Sequence, residues 1–278
     1  MKRRSKIIFL MALSLVFLGC NLSVPLTIAR VWMNSTESNG SLAPEGIEPT
    51  PEAMEVFDPM LSRVIRSEEG AEFDYSIYLE HPEMGRAGPA GDQFNQMIEQ
   101  FMLAQLEAFR KNVLELDEAS RELGKSNYYL SYSTYRIDQK FVSLLLVEDV
   151  YYAGAAHPAR RSYAMNFDIG QEKFLELADL FIDETPFILV ISQYCAQSIS
   201  EDNDDSYFVN GVAAIPDNFS AWNVTADGLL ITFQEYQVLP YAAGSPQVLV
   251  PYDILIDYID PNGPLGIILP RDERFING

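Results

Sequence analysis

Two histidines, His81 and His157, supply the imidazoles available for acid–base or metal chemistry in this 278-residue chain. His81 lies in HPEMGRAGPAG, whose glycines and prolines predict a loop. His157 lies in YYAGAAHP, residues 151–158. A zinc site draws on three or four clustered His, Cys or carboxylate ligands. No such spacing occurs, so neither a metal nor another cofactor is expected. A Ser/His/Asp relay would have to join His157 to Asp168 and a serine, without the G-x-S-x-G elbow that presents a nucleophile. The plainer expectation assigns no catalytic residue and has His157 donate to a backbone carbonyl beside Pro158. Tyr128, Tyr129, Tyr132 and Tyr135 either line a sugar- or peptide-binding face or pack a sheet against a helix, and both readings stand. The acidic run Glu201–Asp205 lacks the glycine of an EF-hand loop. Cys195, inside ILVISQYCAQSI, is expected to be a buried, unreactive helix residue.

These groups must be positioned by the elements around Tyr151–Phe181, which read as strand, small-residue turn, strand and the start of a helix. Gly154-Ala155-Ala156 permits close backbone approach, and Pro158 ends a ladder. Upstream, Phe73–Leu79 alternates as a half-buried strand. Phe94, Ile98, Met102, Leu106, Phe109, Val113 and Leu116 recur at helical spacing across 93–123. Tyr128–Ile137 reads as a strand, and the continuous apolar run Phe141–Val147 as a central one. Downstream, Ser162–Phe167 is a strand, and Thr185-Pro186 fits an N-cap and first helical residue for a helix to about Ser200. Strands at 221–224 and 229–233 flank an Asp227-Gly228 hairpin turn. A strand at 248–250 and a short helix at 252–258 close the body. The expected class is α+β: antiparallel sheets with packed helices in two closely associated units, 65–160 and 161–258, and a tail at 259–278.

The N-terminus carries Lys2, Arg3, Arg4 and Lys6 before an apolar run, Ile7–Leu18, of 12 residues. That is short of the ~20 needed to span a bilayer. Basic start, short apolar core and small residue together make a secretory signal over residues 1–20. Leu18-Gly19-Cys20 resembles a lipobox, which would lipidate Cys20 and anchor the chain to the bacterial membrane. Phe17 departs from the usual aliphatic residue, and an uncleaved anchor over Ile7–Ile28 is the competing reading. Both routes put the rest of the chain outside the cytoplasm. Residues 21–64, rich in Asn, Ser, Glu, Pro and Thr, are expected to be a disordered tether. The formal charge of -21 disfavours nucleic acid and favours cationic partners.

The tract YYAGAAHP followed by NFDIGQEKFLELADLF resembles the extracytoplasmic domain of RsiV-like proteins, a domain of unknown function. The later run FQEYQVLPYAAGSPQVLVPYDIL is similar to that family's closing segment. The upstream part, about 72–153, looks like the preceding domain of these proteins and of some peptidoglycan deacetylases. Ala155 stands where the family pattern has a second glycine. The resemblance covers roughly 65–258 and marks Tyr152, Gly154, His157, Pro158, Asp168, Pro240, Tyr241 and Gly244 as motif or candidate binding positions. The best understood relatives are membrane-bound anti-sigma factors whose outer domain binds lysozyme. With six residues before its apolar run, this chain is expected to lack a sigma-binding segment. The resemblance therefore implies a non-catalytic envelope lipoprotein that binds a lysozyme-like protein or cell-wall glycan. The alternative is a glycan hydrolase or deacetylase using His157.

Overall fold

The computed structural model describes residues 61–70, 74–85, 88–203, 206–267 and 269. Cys20, the signal segment, residues 21–60 of the expected tether, residues 204–205 of the acidic run, and residues 268 and 270–278 of the tail lie outside them, whereas residues 61–64, expected in the tether, are strand. No helix among the described residues is long and apolar enough to cross a membrane.

A six-stranded sheet is built in chain order from β1 (Leu61–Gly70), β2 (Tyr75–Met84), β3 (Ser126–Ile137), β4 (Phe141–Tyr151), β5 (Ala159–Asp168) and the short β6 (Lys173–Phe174). All its pairings are antiparallel except β2 with β3, which run parallel. Helix α1 (Pro89–Leu114) makes that parallel connection possible, because parallel strands need a long crossover. Its stripe Phe94, Ile98, Met102, Leu106, Phe109 and Val113 is buried. It packs against Ile77, Leu79, Tyr128, Leu130, Val142, Leu144 and Leu146. The helical spacing does not carry on to residue 123. The chain breaks after Leu114, and Asp117 accepts from the Ser120 amide at 2.7 Å to cap a separate helix, α2 (Glu118–Glu122). Local capping overrides the apolar period that Leu116 would have continued.

Strand β2 runs on through residues 81–84, the first part of the stretch predicted as a loop, and residues 89–91 at the far end of that stretch open α1. Asn95 of α1 clamps the end of β2, accepting from the Met84 amide at 2.7 Å and donating to the Met84 carbonyl at 2.9 Å. β3 pairs only as far as Leu79, so Pro82 sits on a free edge where its missing amide costs no ladder bond. His81 is consequently buried, not in a polar loop. Its Nδ1 lies 3.2 Å from the Pro82 carbonyl while Nε2 has no partner. Burial pushes its pKa below the ordinary 6.5. The unfolded chain therefore takes the proton first as pH falls. The His81 contribution is full above about pH 6.5 and is lost on acidification below it. His81→Leu should flatten the dependence of Tm on pH between about 6.5 and 5; an unchanged slope would refute this.

The second half of the chain forms its own core. A 3-10 turn (Leu177–Leu180), α3 (Phe187–Asp202), β7 (Trp222–Val224), β8 (Gly228–Thr232), β9 (Gln247–Pro251) and α4 (Tyr252–Leu255) enclose Ile191, Cys195, Ile199, Phe219, Phe233 and Val250. β7, β8 and β9 make a three-stranded antiparallel sheet. Thr185 does not cap α3; Pro186 holds the N-cap position, and the Thr185 hydroxyl turns back to the Ile182 carbonyl at 2.7 Å. Residue 160 falls inside β5, and the six-stranded sheet continues to Phe174. Strand β4 is buried on both faces, as its continuous apolar run implies. Val142, Leu144 and Leu146 face α1, while Phe141 enters the second core.

Candidate functional site

Strand register decides which polar groups share a face. In β4 the even-numbered residues from Val142 to Val150 face α1, which leaves Asp149 on the opposite side. Across the strands Tyr78 pairs with Tyr129, Tyr129 with Asp149, and Asp149 with Arg160. These four therefore form one transverse row, roughly 15 Å from β2 to β5 at ordinary strand spacing. The rings of Tyr78 and Tyr129 stack nearly parallel, 4.9 Å apart. Tyr129 is 42% exposed. Arg160 forks onto Asp149 through two bonds of 2.8 Å, a bidentate pair that fixes both side chains.

The row ends against the two motif runs, which the fold brings together. The Arg160 amide donates to Glu235 at 3.1 Å. Gln234 bonds both backbone groups of Ser162, at 2.9 and 2.7 Å, in place of a neighbouring strand. The Pro158 carbonyl accepts from His157 Nδ1 at 2.8 Å and from the Tyr241 hydroxyl at 3.2 Å. His157 and Tyr241 rings lie 4.0 Å apart, and Tyr236, 57% exposed, is 5.6 Å from Tyr241. Two glycines shape these turns: Gly154 with φ 83° and Gly244 with φ 70°, both in the left-handed region. Pro240 precedes the 3-10 turn Tyr241–Ala243.

Other motif positions lie elsewhere. Tyr152 belongs to the α1 side, where its hydroxyl accepts from Asn112 at 2.8 Å. Asp168 closes the far end of β5, bonding the Gln171 amide at 2.9 Å. Nine residues of extended strand separate it from Ala159, about 30 Å, so it cannot orient His157 in a relay. Among the described residues no three His, Cys, Asp or Glu side chains are arranged to hold a metal ion. Of the tyrosine series, Tyr128 packs in the α1 core and Tyr129 is the exposed member of the row. The Tyr135 hydroxyl accepts from Gln247.

Tyr78, Asp149, Arg160, Glu235 and Tyr236 were not singled out from the sequence. One signal was present: Glu148-Asp149 and Arg160-Arg161 are placed symmetrically about the Gly154 turn, as an ion-paired hairpin requires.

Cys195 is free and fully buried in α3. Burial pushes its thiol up to about 12. Cys195 in the folded state should resist thiol reagents at pH 8 over hours and react stoichiometrically only on unfolding; rapid labelling at Cys195 of native protein, located by peptide mapping, would contradict this. Because the folded pKa is raised, stability from the neutral thiol is full below the ordinary value near 9 and is lost between there and about 12.

Residues 178–253 match the family described as "Protein of unknown function (DUF3298)". The match holds the Tyr236–Tyr241 run and stops short of His157. The chain is also 19% identical over 172 residues to the peptidoglycan-N-acetylmuramic acid deacetylase PdaC of Bacillus subtilis (strain 168). That alignment covers 60% of this chain and 36% of the relative, so this chain corresponds to about a third of that protein. Crystal structures of DUF3298 family proteins share the fold. One from Pseudomonas aeruginosa PAO1 has a TM-score of 0.57 at 16% identity, covering 77% of this chain and 99% of that one. One from Bacteroides fragilis NCTC 9343 has a TM-score of 0.56 at 14% identity, covering 74% and 94%.

Proposed function

We propose that the folded body is a non-catalytic, extracytoplasmic binding module whose ligand is cell-wall glycan. The ligand would lie along the Tyr78–Tyr129–Asp149–Arg160 row and the adjoining His157, Tyr236 and Tyr241 rings. The observation that carries this reading is the convergence of both motif runs on one exposed aromatic face ended by a fixed ion pair. Rings stack on the apolar faces of sugars, and a carboxylate–guanidinium pair exchanges hydrogen bonds with hydroxyls. The similarity to part of a peptidoglycan deacetylase supports peptidoglycan as the source of the glycan. The signal-like N-terminus supports an envelope location, with Cys20 as the lipid attachment point. Two associated units stay part of this proposal, with the boundary after Phe174 in place of residue 160, because β5 and β6 belong to the six-stranded sheet.

Two other readings are tested alongside. A cationic lysozyme-like protein on the same face is favoured by the net charge of -21, and charge-driven binding fades as salt rises. A hydrolase or deacetylase centred on His157 has less support, because Nδ1 is engaged by the Pro158 carbonyl and Asp168 is remote.

The test is calorimetric titration with peptidoglycan fragments and with lysozyme at low and moderate salt, together with a glycan-turnover assay. Tyr129→Ala and Tyr241→Ala are each expected to weaken glycan binding about tenfold, or 1.4 kcal/mol, with Tm nearly unchanged. Glycan affinity equal to wild type in both variants would sink the assignment. Turnover that His157→Ala abolishes in a folded protein would replace it with the enzyme.

A further inference from the structure

The opposite face of the same sheet holds a second group of side chains that the exposed row does not use. Glu148 and Arg161 pair across β4 and β5 on the α1 side. With Tyr128, Phe109, Asn112 and Tyr152 they line a cleft of about 100 Å³ beneath α1. Glu148 has only 3% of its side chain exposed, accepts from the Tyr163 hydroxyl at 3.2 Å and lies 3.9 Å from the Arg161 guanidinium. Tyr128 is 2% exposed, and its hydroxyl, beside the Glu148 carboxylate, makes no hydrogen bond of good geometry. Burial first, and the nearby Glu148 charge second, hold that phenol protonated far beyond its ordinary range, so it remains an available donor. Asn112 fixes the Tyr152 hydroxyl, and the Tyr152 ring stacks 5.7 Å from Phe109.

A buried hydroxyl left without a well-placed partner costs about 1–3 kcal/mol, which a fitting ligand would recover. An anionic ligand would meet Glu148 and a cationic one Arg161, so the charges select a neutral group. That group must donate to the carboxylate, accept from Tyr128 and place apolar atoms against Phe109, Val150 and Ala159. A cleft of that volume has room for several waters. It admits a substituent and leaves the bulk of its carrier outside. A secondary acetamide has this N–H, C=O and methyl combination. We infer that the Glu148–Tyr128 cleft is a binding pocket for an acetamido group, its N–H on Glu148 and its carbonyl on Tyr128. An N-acetylated sugar and an acetylated peptide amine both carry that group. The pocket does not depend on the glycan reading, since it lies on the other face of the sheet.

The test titrates the full chain, labelled at its tyrosine rings, with N-acetylglucosamine, glucosamine and Nε-acetyl-lysine amide, followed by NMR. Saturable shifts of the Tyr128 and Tyr152 resonances are expected with at least one acetylated probe and not with glucosamine. The responding probe identifies the source, and either one supports the pocket. Tyr128→Phe removes one oxygen and should weaken that probe at least tenfold. Ala108→Leu, at an exposed α1 position lining the cleft, should block it without touching a polar group. Tyr241→Ala should leave it unchanged, which separates failure of this site from failure of the exposed row. Equal shifts with glucosamine, no shift with any probe, or wild-type affinity in both Tyr128→Phe and Ala108→Leu would overturn the inference.

Discussion

Gly211→Ala is expected to lower stability by about 3 kcal/mol or more, a fall in Tm of at least ~6 °C for a body of this size. Gly211 is buried in a 3-10 turn, Val209–Val212, and a Cβ built there would lie 1.9 Å from the Gln237 carbonyl oxygen and 2.9 Å from Val238 Cγ1. The nearest obstacle is backbone, so no rotamer change relieves it. The strands of chain must part, and several bonds go with them. Gln237 Nε2 donates to the Gly211 carbonyl at 3.0 Å and to that of Asn218 at 2.8 Å, and the Phe208 amide donates to Val238 at 2.8 Å. Tyr236 and Tyr241 hang from this segment, so the variant should also lose ligand binding wherever it remains folded. A calorimetric Tm within 2 °C of wild type would show that the close approach is not required.

Asn223→Ala should cost about 3 kcal/mol, measured by chemical denaturation, and Ser143→Ala about 2 kcal/mol. Asn223 is fully buried and reaches from β7 into the six-stranded sheet, donating to Ser143 Oγ at 3.0 Å and to the Leu144 carbonyl at 2.9 Å. Ser143 accepts a second bond from the Val224 amide at 3.0 Å and donates to Asn166 at 2.6 Å, and Asn166 donates to the Trp222 carbonyl at 2.7 Å. This network joins the two sheets by buried polar bonds. Removing Asn223 takes both donated bonds from Ser143 and the Leu144 carbonyl and leaves a cavity, so its loss exceeds the worth of the bonds alone. The double variant should be less destabilised than the two single losses combined, because they share a bond. Full additivity would argue against a connected network.

The glycine of Asp227-Gly228 illustrates how a correct location can rest on a different cause. The sequence pattern points to a hairpin turn there, and β7 and β8 are joined at that place, with Gly228 already the first residue of β8. Gly228 is nevertheless absent from the left-handed positions. It is required because a Cβ would come within 2.3 Å of the Val250 carbonyl on β9. Turn chemistry is local and readable, whereas the approach of a strand some twenty residues away is not.

The sequence by itself determined the α+β class, the buried stripe of α1, the two-sided burial of β4 and the near-boundaries of β3, α3 and the closing hairpin. Each follows from periodicity or turn chemistry within a few residues, where side-chain direction is set by the backbone alone. Tertiary structure decided the extension of β2 through His81 and the parallel pairing of β2 with β3. It also set Tyr78, Tyr129, Asp149 and Arg160 in one row, and turned Glu148 and Tyr128 into a cleft on the other face. Those outcomes depend on register between strands far apart in the chain, and a slip of one residue would send every one of those side chains to the opposite face.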